Sequence, residues 1–295
     1  MDTFLLSVGF GVITASILAL AGVGFTLQFG ATNVLNLAFG DVMTLAAFIC
    51  YLTIRAGGNL WAGLAAGALS GALGSYLLNR GIYTPFARRG TRLFAMIIVS
   101  LSMSLIIQNS LQAIFGASFF SFPLPPSSVH HVGPMIFTGQ QFVIIGIAIV
   151  AMVGIEMLLH LTKLGRAMRA TAADAPLARS CGVATDRVID LAWLLSGLLC
   201  GLAGVALVLN VASFTSTTGQ TFLVPIIAVA VLGGVGSPRG AMIGALVIGL
   251  VTELSAAYIS PSYKEVFAFI VLIVVLLLRP QGIFSEVASQ KEVAA

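Results

Sequence analysis

Few residues in this 295-residue chain could do chemistry, and most of them are cations gathered in one place. The stretch TKLGRAMRATAADAPLARSCGVATDRVID, residues 162–190, carries Lys163, Arg166, Arg169, Arg179 and Arg187, five of the 14 Lys and Arg. Guanidinium groups on a helical segment bind carboxylates or phosphates and do not activate a nucleophile. The other polar residues are scattered through apolar surroundings: Asn33, Asn36 and Asp41 in GATNVLNLAFGD, Glu156, and Glu253 in VTELSAAY. At membrane depth such groups need partners. No nucleophile–base–acid set appears. The glycines of GGVGSPRG, residues 233–240, lack the preceding strand and the GK[ST] ending of a phosphate loop. Cys50, Cys181 and Cys200 have no metal-ligand spacing, and each reads as a small packing residue. The chemistry on offer is docking and passage, with neither ATP hydrolysis nor modification of a cargo.

The elements that must position these residues are membrane spans. The chain is 59% hydrophobic and only 8% charged, against about 25% charged in soluble domains. Several apolar runs of about 20 residues make it polytopic, and long runs argue against alternating barrel strands. The 32 glycines suit helices that approach closely in lipid. Expected spans cover residues 4–27, 60–78, 93–115, 142–161, 191–211, 241–258 and 266–278, with Pro85 marking a break after the second of them. Two further runs are short. Residues 42–54 span only when the helix begins near Leu37, which makes 30–41 either a turn or a broken helix lining a cavity. Residues 222–232, leading into Gly233, read as a short span or a re-entrant element. The fold class is therefore an all-α polytopic membrane protein with eight or nine transmembrane helices and broken or re-entrant segments. It forms a single transmembrane domain over residues 1–295, with a polar tail at 279–295. The first run lacks a basic region ahead of it and is too long for a cleavable signal.

Charge orients the spans. With the Arg80, Arg88, Arg89 and Arg92 loop and the basic island both in the cytoplasm, alternation leaves only Arg55 and Lys264 of the 14 Lys and Arg outside. The Pro-rich loop over residues 116–140 has no Lys or Arg and falls outside, with His130, His131 and the interfacial Phe119, Phe120 and Phe122. Because residues 1–40 carry no Lys or Arg, the side on which the chain starts stays open. Within the island, Gly165 and Gly182 fit turn residues, and Asp174 before Pro176 fits a new helix start. The segment reads as a helix–turn–helix with an alanine-rich surface that a groove could accept. A basic loop lying on lipid headgroups fits the spacing equally well.

The order of motifs resembles the permeases of branched-chain amino-acid ABC transporters. Gly165, Arg166, Arg169, Ala170, Ala173, Asp174, Ala178 and Gly182 match the family's cytoplasmic coupling-helix pattern. Asn36-Leu-Ala-Phe-Gly40-Asp41 is similar to its N-x-A-x-G-[DE], with Asp where Glu is commoner. VLGGVGSPRGAMIGALVIG and LLLRPQGIF match its later motifs, and the resemblance covers nearly the whole chain. The compact length is similar to the smaller, LivH-type, of the two permeases. The resemblance implies a bacterial plasma-membrane (inner-membrane) importer permease for branched-chain or related amino acids. It implies two ATPase subunits that hold ATP and Mg, a second homologous permease, an extracytoplasmic binding protein and membrane lipid as partners. It implies no cofactor or metal on this chain and no nucleic acid. Urea or short amides are the alternative cargo. A stand-alone channel or secondary transporter would require inverted repeats and midplane carboxylates, for which only Asp41 and Glu253 are candidates. The resemblance makes residues 162–190 the coupling loop. Asn36, Gly40, Asp41, Gly233, Gly234, Gly236 and Glu253 are expected to line the path or support its helices.

Overall fold

The computed structural model describes residues 2–122, 129–132, 135–211, 213–279 and 282. They form an all-α polytopic membrane protein. Among the described residues, seven stretches are long and apolar enough to cross a bilayer. They lie in α1 (Asp2–Thr32), α3 (Leu60–Leu78) with its continuation, α5 (Leu93–Phe115), α6 (Gly139–Leu161), α9 (Thr185–Val211), α11 (Pro238–Tyr258) and α12 (Lys264–Leu278). Two shorter helices, α2 (Phe39–Arg55) and α10 (Thr218–Gly233), have 17 and 16 residues. At 1.5 Å per residue they are only about 25 Å long, short of a hydrocarbon core of about 30 Å. Exposed apolar side chains such as Phe94 and Ile98 of α5 and Leu277 of α12 suit contact with lipid.

The residues fall into two compact units. The first comprises residues 1–26, 126–153 and 224–295. In it α1 and α11 touch through small residues: a side-chain carbon on Gly249 would sit 2.6 Å from the Ala15 backbone. A hairpin of β2 (Val129–Val132) and β3 (Met135–Thr138) holds His130 and His131 in its first strand.

The second unit comprises residues 27–125 and 154–223. Its core is α2, α3 and α9. On α3, Gly63, Gly67, Gly71 and Ser75 recur every four residues and so share one helix face. That face meets Gly197 and Gly201 of α9 and the backbone of α2, and Gly204 of α9 packs on α2 in turn. A side-chain carbon on Gly71 or Gly197 would strike the other's carbonyl oxygen, and one on Gly204 would strike that of Met43. Backbones approach this closely only where side chains are absent, and dispersion between them replaces the hydrophobic drive that lipid does not supply. At one end of this core Phe48 stacks on Phe115 at 4.2 Å and meets Phe120 and Phe214 edge-on. Phe120 and Phe214 are brought there by pairing of β1 (Phe120–Ser121) with β4 (Ser213–Phe214). Phe119 alone of the three loop phenylalanines stays largely exposed, at 80%.

Three expectations are corrected. The third span does not end at Leu78: the helix runs on through a π-turn (Asn79–Tyr83) into α4 (Thr84–Arg88). Pro85 does not break it, because the chain widens just beforehand and Thr84 N–H reaches back to Asn79 O. The sixth span begins at Thr185, since Asp186 and Asp190 find basic and amide partners at the helix start. Cys181 is not a packing residue: it lies exposed, whereas Cys50 and Cys200 are buried.

The last turns of α1 bear on the side from which it starts. Its last turns lie beside Tyr83 through Gln28 and Asn36, at the end that bears Arg80 and Arg88. With those cations taken as cytoplasmic, α1 is expected to start outside and Arg55, at the end of α2, to lie toward the outer side. An impermeant maleimide is therefore expected to label native Cys181 only from the cytoplasmic face and an Ala56→Cys variant only from outside. Labelling of both from one side would break this topology.

Candidate functional site

The polar island folds as two helices, α7 (Lys163–Ala173) and α8 (Ala175–Ser180), laid against the end of α6. Thr162 makes the corner. Its hydroxyl donates to Leu158 O at 2.6 Å and accepts from Gly165 N–H at 3.1 Å, capping α7. Asp174 makes the second corner, accepting from Leu177 N–H at 2.9 Å, with Pro176 in the first turn of α8. Gly182, at φ +85°, closes the hairpin as a turn residue. Gly165 does not: it lies within α7, where a side-chain carbon would strike the carbonyl oxygens of Leu158 and Leu159. Its smallness lets α7 press on the last turn of α6. The Arg169 guanidinium donates to Leu159 O, bracing the same contact at a helix C-terminus that favours cations.

One face of α7 is buried through Gly165, Met168 and Thr171. The other exposes Arg166, Ala170 and Ala173, and α8 adds exposed Leu177 while Ala178 is buried. The result is a short amphipathic hairpin with small, apolar and cationic groups facing outward. Its C-terminal arm is tied down by charge. Arg179 donates to Asp186 at 2.7 Å and to the Thr185 hydroxyl at 2.9 Å. Asp186 also accepts from Arg88 of α4 at 3.1 Å. One turn further, Asp190 accepts from Asn79 at 2.9 Å and lies 3.6 Å from Arg80. The Arg88 and Asp186 side chains are 68% and 58% exposed, so that pair contributes at most about 1 kcal/mol.

Asn36, Gly40 and Asp41 meet at the break between α1 and α2. The chain leaves α1 at Asn33, at φ +53°, a left-handed conformation that Asn tolerates better than most residues. Asn36 is buried and organises the break. Its Oδ1 accepts from Ala38 N–H at 3.0 Å and from the Tyr83 hydroxyl at 2.7 Å, and its amide donates to Gln28 at 3.4 Å. Gly40 abuts Gly219 backbone to backbone. Thr44 stitches this contact, accepting from Gly219 N–H at 2.9 Å and donating to Gly40 O at 3.1 Å. Asp41, fully buried, accepts from Ser104 of α5 at 2.5 Å. Irregular backbone at membrane depth is tolerated where protein surrounds it, and Asn36, Gly40 and Asp41 are all buried.

In the other unit Gly233 and Gly240 meet backbone to backbone, and Gly234 and Gly236 take φ +98° and +90° between them. Together they make the tight turn from α10 to α11. Glu253 of α11 accepts from Thr14 at 2.9 Å and from Lys264 at 2.7 Å, which pins the return into α12. Glu156 lies 3.4 Å from His160, one turn on.

Reading the sequence missed Tyr83, Arg88, Asp186 and Asp190. The charges were visible as a cytoplasmic cluster, but their pairing joins residues about a hundred positions apart. The Gly63–Gly67–Gly71 spacing was also a signal, though not of which helix it would meet.

The sequence matches, over residues 7–276, the family described as branched-chain amino acid transport system / permease component. It is 32% identical to the high-affinity branched-chain amino acid transport system permease protein LivH of Escherichia coli K12, with 95% of each chain covered. It is 28% identical to the permease protein BraD of the corresponding system in Pseudomonas aeruginosa, again over 95% of each. Among solved structures, a chain of PsaBC from Streptococcus pneumoniae in complex with Fab superposes with a TM-score of 0.51 at 13% identity, covering 92% of this chain and 91% of that one. That likeness concerns the fold alone.

Proposed function

Because the chain belongs to the branched-chain amino acid transport permease family, and is thus an inner-membrane transport subunit and not an enzyme, we propose that it is half of the membrane pore of an ATP-driven importer. Its cargo is a branched-chain or closely related amino acid, as the names of its relatives state for them. A second permease of similar fold completes the pore. Two ATPase subunits hold ATP and Mg, and an extracytoplasmic binding protein delivers cargo to the outer face. The carrying observation is the α7–α8 hairpin. It is braced at Thr162, Gly165 and Arg169, capped at Asp174, and presents Arg166, Ala170, Ala173 and Leu177 outward. A rigid amphipathic hairpin of this kind fills a groove on a partner and passes on its movement. When the ATPases close on ATP, the hairpins are carried together and the helices attached to them, α6 and α9, tilt. A tagged chain is expected to co-purify an ATPase and a second permease from cells expressing the neighbouring genes. Recovery of the chain alone, with none of these, would count against the reading.

A further inference from the structure

We propose that Tyr83 is a positioning residue of the transport cycle: its hydroxyl ties the π-turn of the α3–α4 helix to the break between α1 and α2, so that movement of the cytoplasmic hairpin reaches the broken segment through one buried hydrogen bond. The proposal rests on the importer reading above.

The contacts form an unbroken series. Arg179 of the hairpin holds Asp186 at the start of α9, and Asp186 holds Arg88. Arg88 lies on the same continuous helix as Tyr83, five residues further on. Tyr83 donates to Asn36 at 2.7 Å. The two ends of the series differ in kind. The ion pairs at Asp186 are exposed and individually weak. Tyr83 and Asn36 are 2% and 1% exposed, and neither can exchange its partner for water without leaving a buried polar group unmatched.

The geometry also separates the ring from the hydroxyl. The Tyr83 ring packs 4.9 Å from the Trp193 ring of α9, which fixes its position without help from the hydroxyl. The hydroxyl then reaches the same Asn36 oxygen that accepts from Ala38 N–H. One oxygen thus serves both the π-turn and the entry into α2, and the Asn36 amide carries the link to Gln28 of α1. Any displacement of Tyr83 changes the restraint on both helices that border the break.

A relay needs an element with two discrete arrangements, and in this proposal that element is the π-turn at Asn79–Tyr83. It holds one residue more than an α-turn. Shifting it by one residue along the helix would carry the Tyr83 ring off Trp193 together with the hydroxyl off Asn36. Contact and release of this bond are the two settings.

The test is Tyr83→Phe in the complete complex with ATPases, second permease and binding protein, reconstituted in vesicles. The variant is expected to assemble, since the ring and its Trp193 contact remain. Cargo moved per ATP hydrolysed should fall on the order of fivefold to tenfold, the effect of one buried hydrogen bond, while ATP hydrolysis continues. A merely structural role would lower assembly and leave that ratio alone, and an unchanged ratio overturns the proposal. Hydrogen exchange on the unmodified complex gives a second reading that does not depend on the variant. Residues 79–84 and 33–38 should change protection together when vanadate traps the ATPases, and a change in one segment alone overturns the link. A wild-type complex with no ATP-driven uptake would sink the importer reading instead, and the exchange experiment would still decide whether the two segments move as one.

Discussion

Gly197→Leu is expected to prevent the protein from accumulating folded in the membrane. A side-chain carbon at this position would meet Gly71 O and would lie 2.6 Å from the Ser75 side chain. Leucine adds three further carbons beyond that one, with no space on α3 to receive them. Neither side can yield cheaply, because Gly71 presents backbone and Ser75 is itself fully buried. Separating α3 from α9 also undoes the neighbouring contact of Gly201 with Gly67. The cost is expected to exceed about 3 kcal/mol, a large fraction of the stability of a typical domain. Gly146→Leu on α6 is the matched control, since a side-chain carbon there meets nothing within 4 Å. Size-exclusion chromatography of fluorescently tagged protein in mild detergent gives the comparison. Loss of the monodisperse peak for Gly197→Leu alone is the expected result; equal peaks would mean that the α3–α9 contact does not hold the unit together.

Arg169→Ala combined with Asp174→Ala is expected to leave the protein in the membrane and to lower ATP-driven uptake at least tenfold. Arg169 secures α7 to the end of α6 through Leu159 O, and Asp174 caps α8. Loss of a cap typically costs about 1 kcal/mol, and loss of a charged hydrogen bond about 1.5–3 kcal/mol. Neither reaches the α2–α3–α9 core, so the protein should still insert. The hairpin, however, would no longer move as one body with α6, and ATP closure would displace it without tilting the helix. Uptake and ATP hydrolysis measured side by side would expose the uncoupling. Unchanged uptake would remove the hairpin from the mechanism.

What the sequence could reveal follows from the range of the interactions. The spans, the cytoplasmic island and the new helix at Asp174–Pro176 depend on local composition and local hydrogen bonds, and these are readable along the chain. An interruption within residues 30–41, as a turn or a broken helix, is legible because a polar, glycine-containing stretch does not continue as a lipid-facing helix. Pro85 misled because its effect depends on the turn before it. A π-turn absorbs the proline where an α-turn would not, and nothing in NRGIY announces that choice. Gly165 fits a turn in the sequence because glycine marks turns and close contacts alike, and only the approach of Leu158 and Leu159 separates the two. The bonds from Tyr83 to Asn36 and from Thr14 to Glu253 join residues 47 and 239 positions apart. They come from packing the helices and leave no local trace.

Uptake by the reconstituted complex tests the central claim most directly. Vesicles would contain this chain, its neighbouring ATPases, the partner permease and the binding protein, and would be offered labelled leucine or urea with and without ATP. The account predicts leucine accumulation that requires ATP, the binding protein and an intact α7–α8 hairpin. ATP-driven urea uptake without leucine uptake would keep the machine and overturn the cargo. Leucine uptake by this chain alone, indifferent to ATP, would contradict the account at its root.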